Sequence, residues 1–321
     1  MSTQVNYNLV FGANGQDGFL TCKYLLLNRK EPVIAIVRKN CKFLSLLKNI
    51  QKIYKNFLIE EANELSVNFC SEILFKYNIS KIYFFAGYSK IPTNDLEKKL
   101  CYDGNFSIFE NLLKSIISIK LKSKVKILHL SSGEIYGQKH QDVKNEKSIT
   151  IQDNYYSETK VKIMSVIETY RKKESLFISN AICFNHDSYF TPRNHIIRVV
   201  INRFKNQKVI KFFDVDNYRN FSHVYDFIPL FYKILDLKNP DDFILANNDN
   251  HQISNLIDLV KIKLNLQNKI IECENSTLSD QISRLADNSK IRSLFNYNPK
   301  FNLEKLVDRM ISYEKKNFYL N

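Results

Sequence analysis

Three of the seven glycines in this chain lie close together, at Gly12, Gly15 and Gly18. The apolar run YNLVF precedes them, and FLTCKYLLLN, which has helical periodicity, follows. Glycines at this spacing permit a tight turn, a close approach of the backbone to a pyrophosphate, and close packing of helix on sheet. The N–H groups at the helix start can bind phosphate oxygens. The pattern predicts a dinucleotide-binding loop, with an ordinary glycine turn as the alternative.

Short apolar runs alternate with longer amphipathic stretches through the first half of the chain. They read YNLVFG, PVIAIV, NFLIE, KIYFFAG, KVKILHLSS and, later, LFISNAICF. Runs at this spacing are typical of βαβ units in a parallel sheet. We therefore predict an α/β fold with a Rossmann-type, doubly wound parallel sheet over residues 1–184. Residues 185–321 are expected to form mainly a smaller α/β substrate-binding lobe, interleaved with the sheet domain.

Composition excludes several classes of protein. The first residues lack the pattern of a signal peptide, and no run of about 18 apolar residues occurs, so we expect a cytoplasmic protein without a membrane partner. The six cysteines are scattered without metal-ligand spacing, which predicts buried free thiols and no metal site. The net charge of +14 comes from lysines spread along the whole chain. A compositional bias explains this charge better than nucleic-acid binding does.

The end of the second predicted strand bears on the choice of cofactor. PVIAIV leads into Arg38-Lys39-Asn40, where an NAD-binding chain would place an acidic residue for the ribose hydroxyls. A cation at this position can pair with a 2′-phosphate, so we predict NADP, with NAD as the less favoured cofactor. A lysine-rich surface turn is the alternative explanation.

Tyr156 and Lys160 are the candidate catalytic pair. They lie four residues apart in NYYSETKVKIM, so a helix would place them on one face, whereas Tyr155 would point elsewhere. A nearby ammonium lowers the free energy of ionising a phenol, which could then take a proton from a sugar hydroxyl. The pair alone could arise by chance in a chain with 18 tyrosines. Its position after the glycine loop and a further strand supports the catalytic interpretation.

Ser132 and Glu134 follow the predicted strand KVKILHL directly. The carboxyl ends of parallel strands face the ligand in an open sheet, so both side chains are candidates for chemistry. Ser132 could hydrogen-bond the reacting hydroxyl, and Glu134 could remove a carbon-bound proton beside a newly formed ketone. A solvated loop carboxylate is the alternative for Glu134.

Taken in order, these motifs resemble the extended short-chain dehydrogenase/reductase family and, within it, the GDP-mannose 4,6-dehydratases. The resemblance covers nearly the whole chain. Its segments are GANGQDG, KIYFFAGYSKI, SSGEIYG, YYSETK, AICFNHDS, DNYRNFSHVYD and PDDFILANNDNHQIS. GQDG and FNH are more specific than the general family motifs and favour the GDP-sugar branch.

The resemblance implies a role for each matching residue. Those implied on the cofactor are Gly12, Asn14, Gly15, Gln16, Asp17, Arg38, Ala86, Lys160 and His186. Ser132, Glu134 and Tyr156 are implied to act on the sugar, with Lys160 completing the catalytic set. Ser89 and Asn185 are implied to contact the substrate, and Arg219 to pair with its diphosphate. A guanidinium can donate two parallel hydrogen bonds to phosphate oxygens, so the chemistry of the side chain independently supports this role for Arg219.

The implied reaction is an internal redox cycle on a GDP-hexose. Tyr156 removes the C4 hydroxyl proton while hydride leaves C4 for NADP. Glu134 then takes the C5 proton as water leaves C6, and the hydride returns to C6. The implied product is a GDP-4-keto-6-deoxy sugar, and the implied assembly is a homodimer or a homotetramer.

Several positions depart from the family pattern. Gly133 stands where these dehydratases usually carry a hydroxyl residue. The segment KNCKFLSLL lacks their arginine/serine-rich run, and IEEANEL lacks their usual aspartate near the adenine. Near the C-terminus the chain reads STLSDQIS where an Arg-Pro pair normally helps to hold the diphosphate. These departures indicate a changed substrate, such as a GDP-sugar other than GDP-mannose.

Two other functions fit the same motifs. A sugar-nucleotide epimerase or reductase of this fold would leave Glu134 without a catalytic role. A nucleotide-binding protein without activity would be consistent with the positive charge and the departures. The presence of Ser132, Glu134, Tyr156 and Lys160 together argues against the second, because a decaying site has no physical reason to retain all four.

Overall fold

The computed structural model describes residues 5–39, 41, 43–121, 124–137, 142–274 and 284–315. The chain divides into two compact units, each built from separate stretches of sequence. Unit 1 comprises Met1–Ile135, Thr150–Ile182 and Ile228–Phe243, and unit 2 comprises Tyr136–Ile149, Cys183–Phe227 and Ile244–Asn321. The assignment of cofactor binding to one domain and substrate binding to the other stays a prediction.

Helices and strands alternate through the first part of the chain, as the apolar runs predict. The strands are β1 (Tyr7–Phe11), β2 (Val33–Arg38), β3 (Phe57–Ala62), β4 (Ile79–Phe84), β5 (Lys126–Ser132), β6 (Phe177–Cys183), β7 (His186–Asp187), β8 (Val209–Phe213), β9 (Tyr218–Asn220), β10 (Ser222–His223), β11 (Asp242–Leu245), β12 (Asn250–Gln252) and β13 (Ile270–Glu274). The α-helices are α1 (Gln16–Tyr24), α2 (Leu44–Ile53), α3 (Val67–Lys76), α4 (Asp95–Tyr102), α5 (Ile108–Ser118), α6 (Tyr155–Glu174), α7 (Ile196–Asn206), α8 (Val224–Leu235), α9 (Ile253–Lys263), α10 (Ser289–Phe295) and α11 (Leu303–Lys315).

A seven-stranded sheet with the order β11-β6-β5-β4-β1-β2-β3 forms the centre of unit 1. β1 pairs in parallel with β2 on one side and with β4 on the other, and the β2–β3 and β4–β5 pairs are also parallel. The direction of winding therefore reverses between β1 and β4, which is where open α/β sheets bind their ligands. The predicted Rossmann-type fold is confirmed.

Helices cover both faces of this sheet because the strands present apolar side chains in both directions. Phe84 packs against Phe109 of α5, with ring centroids 4.9 Å apart. The next residue, Phe85, faces the opposite way and packs against Phe231 of α8 at 5.1 Å. Successive side chains of a strand point to opposite faces. A strand buried on both sides reads as a continuous apolar run, which is what KIYFFAG shows.

Unit 2 has its own hydrophobic core between α7, α9 and α11. Ile201, Leu256 and Met310, one from each helix, are completely buried in it. The described residues of this unit form three two-stranded sheets: β7 with β10 and β8 with β13 are parallel, and β9 with β12 is antiparallel. Strands this short produce no long apolar runs of the kind that mark the sheet of unit 1.

None of the described helices is both long and apolar enough to cross a membrane. All six cysteines are free thiols. Four of them are buried, but Cys41 is half-buried and Cys273 is exposed, so the expectation that all are buried is wrong for these two. Cys273 is exposed because it lies in β13, a strand of a two-stranded sheet with an exposed face. The described residues contain no group of three or more His, Cys, Asp or Glu side chains arranged to hold a metal ion.

Candidate active site

The glycine loop lies where β1 and β4 end side by side. Gly12 has a φ of +75°, which side-chain-bearing residues rarely adopt. A Cβ at Gly12 would lie 2.6 Å from the main-chain nitrogen of Ala86, so the loop packs directly on the segment that follows β4. The Phe85 N–H donates to the Phe11 carbonyl at 3.1 Å and joins the same two segments. The structure thus brings Gly12 and Ala86 together.

Close packing at the start of α1 explains Gly18. A Cβ at Gly18 would collide with the Gly12 carbonyl oxygen, so only glycine lets the helix approach the loop. α1 begins at Gln16, and Gly15 before it supplies no side-chain cap. Asn14, Gln16 and Asp17 are half-buried around this helix start. N–H groups at a helix N-terminus suit a phosphate, as the sequence predicts.

Arg38 is the last residue of β2, and its side chain is exposed. The next residue is held to β3, because the Lys39 N–H donates to the Ala62 carbonyl at 3.0 Å. Asn40, the third residue of the predicted cofactor-selecting turn, lies outside the described residues. Glu61 of β3 forms a 3.5 Å ion pair with Lys48 of α2. Cations and one carboxylate therefore occur together at this edge of the sheet.

Asn105 is a residue that sequence reasoning missed. Its side chain is buried and holds the segment after β4, which carries Ala86 and Ser89. The Tyr88 N–H donates to Asn105 Oδ1 at 3.3 Å, and Asn105 Nδ2 donates to the Tyr88 carbonyl at 3.1 Å and to the Cys101 carbonyl at 2.9 Å. No local sequence signal marks this residue, because the residues just before it, CYDG, do not form an apolar stretch.

Ser132 and Glu134 lie where β5 ends. Ser132 is the final residue of the strand, and Gly133–Tyr136 form a single 3₁₀ turn. The Glu134 N–H donates to Ser132 Oγ at 3.3 Å, so the two predicted residues are in contact. The Ile151 N–H donates to the Ile135 carbonyl at 2.7 Å and ties this turn to the segment that leads into α6.

α6 begins one residue before Tyr156. Asn154 and Ser157 form a reciprocal capping box that fixes this helix start. Lys160 follows one turn later, and its Nζ lies 5.8 Å from the centroid of the Tyr156 ring. The same Nζ donates to the Leu130 carbonyl of β5 at 3.1 Å. The structure thus brings Tyr156 and Lys160 onto one helix face and joins that face to the strand that ends at Ser132.

A buried polar pair lies on β5 and β6 near Lys160. His129 Nδ1 lies 2.8 Å from Asn180 Oδ1, and the imidazole packs against Phe109 with ring centroids 4.7 Å apart. Burial lowers the pKa of His129 to about 3, and the Lys160 ammonium acts in the same direction. The imidazole is therefore neutral, which avoids a second buried cation beside Lys160.

Buried neutral histidines predict a loss of stability in acid. Burial also lowers the pKa of His223 to about 3, with a further contribution from Arg309. Between pH 6.5 and 3 the unfolded chain binds protons that the folded chain refuses, so the free energy of unfolding falls as the pH falls. Each histidine should contribute about 2 kcal/mol to the decrease between pH 7 and pH 5.

Urea unfolding at the two pH values measures this decrease. His129→Gln should reduce it by the share of one histidine. An unchanged decrease in the His129→Gln variant would show that the imidazole is not buried in its neutral form.

Asn185 and His186 lie at the start of β7 in unit 2. His186 Nδ1 lies 2.8 Å from the Phe184 carbonyl, so Nδ1 carries the proton and donates it to that oxygen. The Asn185 carbonyl accepts from the Ser222 N–H at 3.0 Å, and the imidazole packs against Phe227 at 5.2 Å. Both side chains are half-buried.

Arg219 is the central residue of β9, and its side chain is half-buried. β9 pairs with β12 so that Arg219 lies opposite His251. Its Nη1 donates to the Tyr218 carbonyl at 2.8 Å. The segment 276–283, in which the family's Arg-Pro pair is replaced, lies outside the described residues.

Comparison with known proteins decides the family. The family model for GDP-mannose 4,6-dehydratase matches residues 9–310. The chain belongs to this family. The human GDP-mannose 4,6-dehydratase is 24% identical over 271 residues, which cover 79% of this chain and 71% of the human protein.

Solved structures share the fold of this GDP-mannose 4,6-dehydratase family member. The dTDP-glucose 4,6-dehydratase of Bacillus anthracis, solved with NAD, has a TM-score of 0.83 at 18% identity and covers 98% of this chain, with 97% of its own chain covered. The UDP-glucuronic acid 4-epimerase of Bacillus cereus, solved with UDP-glucuronic acid and NAD, has a TM-score of 0.81 at 21% identity, with coverages of 97% and 99%. At these identities the likeness extends to the fold alone.

Proposed function

We propose that this protein is an NADP-dependent 4,6-dehydratase that converts a GDP-hexose, either GDP-mannose or a related GDP-sugar, to the GDP-4-keto-6-deoxy sugar with loss of water. The observation that carries the proposal is the position of Glu134 in the turn that ends β5, where its main-chain N–H donates to Ser132 Oγ, in the unit that also carries Tyr156 and Lys160. A dehydratase needs a carboxylate to remove the carbon-bound proton beside the ketone, whereas an epimerase has no such step.

The loop of unit 1 fits a nicotinamide dinucleotide. Gly12 and Gly18 leave no space for side chains between loop, helix and sheet, and the N-terminus of α1 would present N–H groups to the pyrophosphate. When bound, such a cofactor supplies the two-electron chemistry that no side chain can provide. Asn14, Gln16, Asp17 and His186 are proposed as further contacts of the cofactor.

Tyr156 is proposed to move the first proton. Its phenolic oxygen would take the proton from the C4 hydroxyl as the C4 carbon is oxidised to a ketone. The Lys160 ammonium stabilises the phenolate electrostatically, and its bond to the Leu130 carbonyl orients it for this role. Ser132 would hydrogen-bond the reacting hydroxyl.

Glu134 is proposed to move the second proton. A ketone at C4 acidifies the C5–H bond. A carboxylate at Glu134 would take the C5 proton and pass it to the C6 oxygen, so that the C6–O bond breaks and water leaves. The bond from its own N–H to Ser132 Oγ fixes the turn that bears this carboxylate. The position of Glu134 therefore turns a simple oxidation into an elimination.

Substrate contacts are proposed from the family pattern. Arg219 would pair with the diphosphate, because a guanidinium can donate two parallel hydrogen bonds to phosphate oxygens. Asn185 and Ser89 would contact the sugar nucleotide. Gly133, which lacks the hydroxyl usual in the family, supports a GDP-sugar other than GDP-mannose as the substrate. A homodimer or a homotetramer remains the proposed assembly.

Mass spectrometry of the reaction products tests the proposal. Purified protein should convert one or more GDP-sugars to a product lighter by one water, without added reductant. UDP-, CDP- and dTDP-sugars serve as the comparison set. An unchanged mass with altered stereochemistry would identify an epimerase, and no turnover of any sugar nucleotide would leave a binding protein.

Arg38→Ala should weaken NADP binding about tenfold and leave NAD binding nearly unchanged, because the guanidinium would pair with the 2′-phosphate alone. The dissociation constants of both cofactors can be measured by calorimetry. Lys52→Ala, an exposed cation in the last turn of α2, is the matched control and should change neither value. Equal losses for both cofactors would contradict the role of Arg38 in selecting NADP.

A further inference from the structure

Buried asparagine amides form a connected network around β9 in unit 2. Asn220, Asn247 and Asn288 are 1%, 5% and 4% exposed, respectively. Their side chains bond mainly to main-chain groups, and two of them also bond to the side-chain amides of Asn248 and Asn250. Because a buried amide without partners is unfavourable, a network in which these amides are bonded fixes the segments it joins.

Asn220 is the centre of this network. Its Oδ1 accepts from the Asn247 N–H at 2.7 Å and from Ser222 Oγ at 3.1 Å. Its Nδ2 lies 3.1 Å from the Asn247 carbonyl and 3.2 Å from the Asp249 carbonyl. A main-chain N–H can only donate and a carbonyl can only accept, so these partners determine the orientation of the amide. A carboxylate at this position could accept from the Asn247 N–H and Ser222 Oγ, but it would repel the Asn247 and Asp249 carbonyls.

The buried amide also fixes the register of β9. Neighbouring side chains of a strand point to opposite faces, so burial of Asn220 directs the adjacent Arg219 to the other face. A slip by one residue would exchange the two side chains. A guanidinium has no acceptor for the Asn247 N–H, so the slipped register would leave that donor without its partner.

Strand pairing alone would hold β9 weakly. β9 and β12 contain three residues each, and a sheet of two short strands is marginally stable. The network adds links to other segments. Asn247 Nδ2 donates to the Phe221 carbonyl at 2.9 Å and to the Phe301 carbonyl at 2.7 Å, and Asn250 Oδ1 accepts from the Ala286 N–H at 3.2 Å.

We propose that the network centred on Asn220 is a positioning device for Arg219, which holds the guanidinium outward for the diphosphate of the substrate. Asn220 is thus a positioning residue that acts through Arg219. The inference rests on the proposed function, because that proposal assigns Arg219 to the diphosphate.

A double-mutant cycle on the full chain tests the inference. GDP affinity is measured by calorimetry for the unaltered protein, Asn220→Asp, Arg219→Ala and the double variant. Asn220→Asp alone should weaken GDP binding about tenfold, yet by less than about twofold when Arg219 is already alanine. A purely structural role would weaken binding equally in both backgrounds.

Controls separate the possible outcomes. Asn298→Asp changes an exposed amide at the outer end of the same network and should leave GDP affinity unchanged. If Asn220→Asp fails to fold, Asn250→Ala, which removes the bonds of this side chain to Asn220 and to the Ala286 main chain but keeps the Asn220 amide, replaces it in the same cycle. The inference would be overturned if the Asn220 or Asn250 variant lost GDP affinity equally in both backgrounds, or lost none. Either result would leave the proposed function standing. Unchanged affinity in Arg219→Ala would overturn the diphosphate assignment, and the inference with it.

Discussion

Glu134→Gln is expected to lower the rate of water loss from a GDP-hexose by about 10²–10⁴-fold. An amide has nearly the shape of the carboxylate but cannot take the C5 proton. The substitution leaves the 3₁₀ turn intact, because the bond to Ser132 Oγ comes from the main-chain N–H of residue 134. The dehydrated product is measured by mass spectrometry, and exchange of the C5 hydrogen is followed in heavy water.

The matched control for this variant is Glu158→Gln. Glu158 is an exposed glutamate in the first turn of α6, close in sequence to the candidate catalytic pair. The Glu158→Gln variant should dehydrate the GDP-hexose at the rate of the unaltered protein. NADP affinity should also be unchanged in Glu134→Gln, which shows that the cofactor loop is intact. Full dehydration by Glu134→Gln would refute the proposed mechanism.

Tyr156→Phe is expected to reduce turnover by a similar factor, about 10²–10⁴-fold, at an earlier step. The substitution removes only the hydroxyl that would take the C4 proton. The start of α6 should remain in place, because the Asn154–Ser157 capping box and the bond from Lys160 to Leu130 do not involve that hydroxyl.

Absorbance of reduced nicotinamide in a single turnover distinguishes the two variants. Glu134→Gln should still oxidise C4 and accumulate reduced cofactor, whereas Tyr156→Phe should not. Tyr155→Phe removes the adjacent hydroxyl on a different side of the helix and should behave as the unaltered protein. Accumulation of reduced cofactor by Tyr156→Phe would remove Tyr156 from the role of first base.

Much of unit 1 was predictable because each signal in it is local. The strands are buried on both faces, so they read as apolar runs, and Gly12 and Gly18 are fixed by contacts within a few residues or with a neighbouring strand end. The spacing of Tyr156 and Lys160 is a property of one helix. The order of these motifs then indicates the sheet, since consecutive βαβ units form one topology far more often than others.

Other parts of the site depend on contacts between residues distant in sequence. Nothing in the neighbourhood of Asn105 indicates that its amide bonds to Tyr88, and nothing near His129 indicates Asn180. The network around Asn220 combines segments that lie some thirty residues apart or more. Polar residues in apolar stretches signal that a buried partner exists, but only the folded chain identifies the partner.

The place of β11 in the sheet has a consequence for synthesis on the ribosome. β11 (Asp242–Leu245) forms the outer strand next to β6. Most of the residues that separate these two strands in the sequence belong to unit 2. A nascent chain that ends near residue 184 therefore exposes the hydrogen-bonding edge of β6 to other polypeptides. The sheet is complete only after translation has passed Leu245, so slow elongation between these points lengthens the period of exposure to aggregation.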